Sequence, residues 1–193
     1  MQGYLNSKAL KCQASLFNIE TKEHVNNVSN MCLHLSSFFN FSESKIYTIK
    51  IMSVFHDIGK IKIPLEILEK KEPLTSEEWE EIKKHPICGK DILIQFGFNE
   101  EELNMIIQHH EKCDGSGYPY GLTHNEIALE SKILSVVDVM DALLSDRAYK
   151  KRWEIEQVRE FFEKNEEGFC QEVVDVLLRE FDNLINIRKE WRR

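Results

Sequence analysis

Apolar residues recur at helical intervals along most of this chain. Val25, Val28, Met31, Cys32, Leu35, Phe38 and Phe39 fall on one stripe, which predicts a helix that buries that face. A second helix is predicted over about 43–56, with Ile46, Ile49, Met52 and Phe55 turned inward. Thr75 and Glu78 have capping-box spacing, so a short helix should start there and end near His85. Pro86 suits the first turn of the next helix, which runs on through Ile92, Leu93 and Phe96. Further helices are expected over 100–111, 131–144, 157–162 and 172–187. The 131–144 stretch is the most apolar and should be central; the last two are amphipathic and should close the bundle. Residues 112–126, KCDGSGYPYGLTHNE, break the pattern and predict a long loop, where function tends to concentrate.

Composition sharpens this reading. Only 8 glycines and 4 prolines in 193 residues leave few turns for hairpins, so the expected fold class is all-α. A net charge of -8 excludes a nucleic-acid polymer bound through a broad basic face, though a locally positive pocket for a small anion remains open. No run approaches the ~18–20 apolar residues of a membrane span. The N-terminus lacks a basic segment followed by an apolar one, so a cytoplasmic location is expected. Cys12, Cys32, Cys88, Cys113 and Cys170 are scattered, odd in number and without a C-x-x-C, and do not read as a disulfide framework or a zinc knuckle.

The chemistry-bearing residues are histidines and acids. Taken singly, each of the seven histidines reads as a surface or core residue; as a group they are harder to dismiss. His56-Asp57 closes an apolar helix, where a buried imidazole and carboxylate need a partner. A divalent cation would serve. His109-His110 repeats the arrangement, which suggests more than one metal. Glu20 and His24 are four residues apart, so on a continuing helix they would share a face and suit one metal; an exposed acidic face is the competing reading. Asp138 lies within the apolar run ILSVVDVMDALL and needs a partner, while Asp141 can cap or form a salt bridge.

These residues fall into ordered motifs: His56-Asp57-Ile58-Gly59-Lys60, His85-Pro86-x-x-Gly89, His109-His110-Glu111-x-x-Asp114-Gly115-x-Gly117-Tyr118-Pro119, and Asp138-x-x-Asp141-Ala-Leu-Leu-Ser-Asp146-Arg147-x-Tyr149. In this the chain resembles the HD-GYP family of metal-dependent phosphohydrolases, from about Glu20 to Val174. The resemblance implies an all-α HD-domain helical bundle with a long GYP loop and a metal centre within it. It divides the single domain into a helical extension over about 1–19, a catalytic core over 20–174 and a C-terminal helix over 175–193. It also implies hydrolysis of cyclic di-GMP to pGpG and then GMP, through a hydroxide held between metals. By motif, the implied ligands are His24, His56, Asp57, His85, His109, His110 and Asp138, with two or three divalent ions, iron being the family's usual metal and manganese an alternative. Glu20 would supply the extra ligand of the three-metal type. His34 and His124 are left as ordinary residues, and Cys113 as incidental. The chain departs from the family pattern at Asn27, Ala128 and Lys132, and at Cys170-Gln171 after Phe169, where the family more often has Arg, Pro, Arg and Asp-Pro.

The implied substrate contacts are Lys60, Asp114, Gly117, Tyr118 and Pro119, with Tyr118 able to stack on a guanine. Asp57 and Lys60 carry the catalytic roles, Lys60 as a point charge for a phosphate oxygen. Arg147 and Lys150, three apart, could clasp the second phosphate; the competing reading is that they complement a helix dipole. The alternatives are a related enzyme acting on cyclic GMP-AMP, and a degenerate domain that binds the messenger without hydrolysing it. A diguanylate cyclase or other signalling protein is a candidate partner. Arg147→Ala should weaken substrate binding by roughly tenfold or more, the cost of one charge-assisted phosphate contact, while leaving metal content unchanged. An unchanged dissociation constant, measured calorimetrically, would return Arg147 to a helix-end role.

Overall fold

In a computed structural model, described over residues 21–146, 151–165 and 167–190, helices carry the fold. Among the described residues no strand forms; one isolated bridge joins Asp114 and Thr123. The helices are α1 (Lys22–Ser36), α2 (Glu43–Val54), α3 (Leu65–Leu68), α4 (Ser76–Ile82), α5 (His85–Ile94), α6 (Glu100–Gln108), α7 (Leu129–Leu143), α8 (Ile155–Lys164), α9 (Gln171–Arg179) and α10 (Phe181–Glu190). Short 3-10 turns occupy Ile58–Lys62 and His124–Glu126. The expected extension over 1–19, together with Glu20, Arg147, Tyr149 and Lys150, lies outside the described residues.

The α7 helix is central, packing against α1, α6 and α9. Its Ile133, Leu134, Val136, Val137 and Met140 are fully buried, as its unbroken apolar run requires. They meet Val28, Met31, Cys32 and Leu35 of α1, Ile49 and Met52 of α2, and Leu103, Met105 and Ile106 of α6 in one core. The α1 stripe ends sooner than its pattern suggests. Phe38 lies past the end of α1, is 42% exposed, and its ring stacks edge-on against His34.

Capping accounts for the starts. Thr21 accepts the His24 N–H, Ser42 the Lys45 N–H, and Thr75 and Asn99 each complete a capping box, with Glu78 and Glu102. Two expected spans are corrected. The 100–111 helix stops at Gln108, because His109 is already its C-cap and the chain turns toward the loop. The 172–187 helix is two helices, parted at Glu180, which accepts from Asn183 Nδ2 and His34 Nε2.

One backbone approach sets the geometry beneath the histidines. The turn Ile58–Lys62 packs against α5 so closely that a Cβ on Gly59 would overlap the His85 carbonyl oxygen and stand 2.5 Å from Gly89 N. Two backbones cannot give way as a flexible side chain can. Gly59→Ala should therefore destabilise the protein by about 3 kcal/mol or more, at or beyond the upper end of usual overpacking costs, seen as a lower urea midpoint.

Candidate metal centre

The bundle gathers six candidate histidine and aspartate ligands from five places. His24 comes from the first turn of α1, His56 and Asp57 from the end of α2, His85 from the start of α5, His109 from the end of α6 and Asp138 from the middle of α7. All are buried; His110, beside His109, is half-buried. Each helix thus places its ligand where an apolar face meets the bundle interior.

The orientation of the rings is set by their Nδ1 atoms. His56, His85 and His109 each place Nδ1 2.8, 2.8 and 2.6 Å from the carbonyl oxygen three residues earlier, in Ser53, Ile82 and Ile106. A carbonyl only accepts, so Nδ1 carries the proton in each ring. His24 Nδ1 lies 2.8 Å from Asp141 Oδ2, to the same effect. In a neutral ring Nε2 is then a bare lone pair. Yet His24 Nε2 faces His56 Nε2 at 3.4 Å, and His85 Nε2 faces His109 Nε2 at 3.3 Å. Two lone pairs do not bond to each other. Positive charge between them resolves each pair, in the first a proton on His56 Nε2 or a metal ion that takes both lone pairs, and this tautomer pattern is the one that metal-ligating histidines adopt.

The carboxylates point to the same places. Asp57 Oδ2 is 3.2 Å from His56 Nε2, and Oδ1 is 3.1 Å from His85 Nε2 and 4.0 Å from His109 Nε2. Oδ1 is buried without a hydrogen-bond partner of good geometry. Asp138 Oδ1 lies 3.5 Å from both His24 Nε2 and His56 Nε2. The ligand atoms form two groups, His24–His56–Asp57 and Asp57–His85–His109–His110, each with its atoms within 4.8 Å of one another. Asp57 belongs to both. These residues fit divalent metals: mixed imidazole and carboxylate donors, aimed inward, with one carboxylate able to bridge.

Electrostatics describe the same imbalance. Burial would raise the Asp57 and Asp138 carboxyls, but Lys60 and His56 hold the first, and His56 and His24 the second, well below the usual carboxylate range. Burial would lower His56, yet Asp57 and Asp138 lift it well above the ordinary histidine range. On the other side, burial and the neighbouring His85 press His110 down to about 3, and burial and the adjacent histidines hold His109 low as well. One flank attracts positive charge and the other presents neutral imidazoles.

A further layer fixes the first group. Asp141 Oδ1 accepts from Asn27 Nδ2 at 2.9 Å and Arg188 Nε at 2.8 Å, while Oδ2 meets His24. Asp141 forms the salt bridge its position allowed. Arg188 carried no signal, because it sits far along the chain in α10. Asn27, a departure from the family pattern, is thereby a positioning residue. Ala128 is another useful departure: its N–H donates to Gln108 Oε1 at 2.9 Å, which proline could not do.

The 112–126 loop folds over the second group. Glu111, buried, accepts the N–H groups of Tyr120 at 2.7 Å and Leu122 at 2.9 Å. A Cβ on Gly117 would meet Glu111 Cα at 2.5 Å and His110 O at 2.6 Å, so only glycine lets the loop pass. Tyr118 stacks on His110 with ring centroids 4.7 Å apart, and Pro119 follows it through a cis bond. Asp114 is exposed and its Oδ1 accepts from Ser116 N and Oγ, which binds the loop to itself. Lys60 reaches Asp57 Oδ2 at 2.6 Å. Trp79 is 44% exposed with its ring 6.3 Å from that of Tyr118.

Glu20 lies outside the described residues. The helix that carries His24 begins at Lys22, with Thr21 extended as its N-cap. His34, expected to be ordinary, pairs with Glu180 at 3.1 Å.

Asp57→Asn should reduce bound divalent metal in both groups, leaving less than one ion per chain by elemental analysis. His110→Ala should weaken only the second group and leave about one ion. Full metal content in Asp57→Asn would remove the shared-carboxylate reading.

Comparison with known proteins agrees with this geometry. The family profile described as HD domain matches residues 6–167. The chain is 37% identical over 175 residues to the 3'3'-cGAMP-specific phosphodiesterase 2 of Vibrio cholerae, covering 88% of this chain and 33% of that protein. It is 35% identical over 162 residues to the cyclic di-GMP phosphodiesterase response regulator RpfG of Xanthomonas campestris, covering 82% of this chain and 43% of that protein. The chain thus spans less than half the length of these relatives. Among solved structures, the HDG"Y"P protein Bd1817 of Bdellovibrio bacteriovorus shares the fold with a TM-score of 0.67 at 22% identity, covering 86% of this chain and 55% of that one. With its four motifs in order and their ligands converging in one bundle, the chain belongs to the HD-domain family, in its HD-GYP branch.

Proposed function

We propose that this chain is a metal-dependent phosphodiesterase that hydrolyses cyclic di-GMP to pGpG and then GMP, with iron, or else manganese, as the divalent metal. The observation that carries the reading is Asp57, one buried carboxylate shared by two imidazole groups. Two or more divalent ions at such a site supply positive charge for phosphodiester oxygens and make water a better nucleophile at neutral pH.

The chain's own residues do the rest. The His24, His56, Asp57, His85, His109, His110 and Asp138 side chains hold the ions. Asp141, Asn27 and the Ser53, Ile82 and Ile106 carbonyls keep the rings oriented. Lys60, its ammonium against Asp57, meets a phosphate oxygen that arrives at the shared carboxylate. The loop shields the second group on one side, because Glu111 and Gly117 seat Tyr118 on His110. Since His110 takes one face of Tyr118, a base meets an aromatic wall of Tyr118 and exposed Trp79 rather than Tyr118 alone. Asp114, Gly117 and Pro119 shape the loop that forms this wall, and Arg147 and Lys150 are assigned to the second phosphate. Among the described residues no helix is long and apolar enough to cross a membrane, and we assign the enzyme to the cytoplasm. A diguanylate cyclase or another signalling protein is the class of partner that fits a messenger-degrading enzyme.

A second reading, hydrolysis of 3'3'-cGAMP, is favoured by the Vibrio cholerae relative named as specific for that messenger, at 37% identity. The test is turnover of both cyclic dinucleotides by the iron- or manganese-loaded protein, with products separated chromatographically. Cyclic di-GMP should be consumed with pGpG appearing before GMP, and Asp57→Asn should lower the rate at least about a hundredfold. Consumption of cGAMP alone would establish the second reading; no turnover of either by the metal-loaded protein would sink both.

A further inference from the structure

A second group of potential ligands lies outside the HD centre. Cys113 opens the 112–126 loop, His124 stands where the loop returns, and Cys170 is the N-cap of α9. Their side-chain donor atoms lie within 4.8 Å of one another. Sequence spacing hides this, since the residues are far apart along the chain and form no C-x-x-C.

Main-chain bonds hold the three in register. Cys113 N–H donates to Gly168 O at 2.8 Å, which ties the loop to the segment before α9. Cys113 O accepts His124 N–H at 3.1 Å, beside the Asp114–Thr123 bridge. Neither thiol is in a disulfide. Cys170 is buried, Cys113 is half-buried and His124 is exposed, so the group has one closed side and one side open to solvent. Cys170 caps α9 without a side-chain hydrogen bond to it. Burial and the neighbouring Cys170 push the Cys113 thiol up to about 11, so a cation bound there must displace its proton.

We propose that Cys113, Cys170 and His124 form a binding site for a soft divalent cation of the zinc class, separate from the HD centre. Two thiolates and an imidazole are the donors such an ion prefers. Tetrahedral coordination places donor atoms about 3.5–3.8 Å apart, a spacing compatible with the 4.8 Å within which the three donors lie. The two thiols each release a proton to solvent as the ion binds, the bonds formed are two S–metal and one N–metal, and water takes the fourth position. No oxidant or reductant is involved. Occupied, the site clamps both ends of the loop that seats Tyr118 on His110 to the start of α9.

The experiment is Co2+ titration of the fully reduced, metal-free full chain, read by optical absorption. Thiolate-to-cobalt charge transfer reports sulfur ligation, which the histidine and carboxylate donors of the HD centre cannot give. Wild type should show this band and bind one more ion per chain than Cys113→Ser or Cys170→Ser. His124→Ala, an exposed change that spares the core, should weaken the ion behind the band at least about tenfold. Metal bound to the HD centre should stay unchanged in all three variants, which separates loss of the site from loss of the fold. Absence of the band in wild type would overturn the proposal, as would its persistence in both cysteine variants. Full Co2+ affinity in His124→Ala, or a Cys113–Cys170 disulfide that re-forms in the presence of excess Co2+, would do so as well.

Discussion

A shared carboxylate organises this molecule. Asp57 sits buried within the bundle, and its two oxygens look toward different sets of imidazoles. An isolated carboxylate in such a place would give up its charge. Here the surroundings do the opposite: Lys60 and His56 hold it ionised, and the facing lone pairs of His85 and His109 ask for further positive charge. The site is arranged around cations, and the packing of five helices exists to hold that arrangement together.

The same constraint explains why the glycines fall where they do. Ligands on different helices can converge only if the backbones that carry them come very close. Gly59 lets the turn after His56-Asp57 lie on the carbonyl of His85, so the first and second motifs meet. Gly117 lets the loop lie on His110, so the third motif folds back on itself. The motif glycines therefore serve approach between segments, and the histidines gain their geometry from that.

Much of this was legible in the sequence, and the reasons for the remainder are specific. Helix positions followed from apolar spacing and from the Thr75–Glu78 capping box, because these are local signals; Ser42 and Asn99 cap in the same local way but were not singled out. The break at Glu180 was not legible, since apolar periodicity continues across it and the carboxylate's bonds to His34 and Asn183 at the turn leave no local sequence signal. The ligand histidines were legible through adjacency and motif. Their grouping into two sets sharing Asp57 was not, because it depends on how α2 meets α5 and α6. Arg188 and Asn27 were invisible for the same reason: their role is to orient Asp141, and no spacing rule connects α1, α7 and α10. Trp79 lies outside the motifs, and only the folded loop places Tyr118 beside it. Cys113 and His124 were dismissed one at a time, and only the hairpin-like return of the loop brings them together with Cys170.

The link from His24 through Asp141 to Arg188 also has a temporal side. During synthesis His24 leaves the ribosome early and Arg188 comes near the end, at a pace of about 5–20 residues per second. Until α10 docks, the carboxylate that aims His24 lacks its guanidinium and sits in a half-built interior. The nascent bundle can collapse around α7 well before then, but its first imidazole is not yet held in register. The orientation of His24 through Asp141 is thus complete only once α10 has docked.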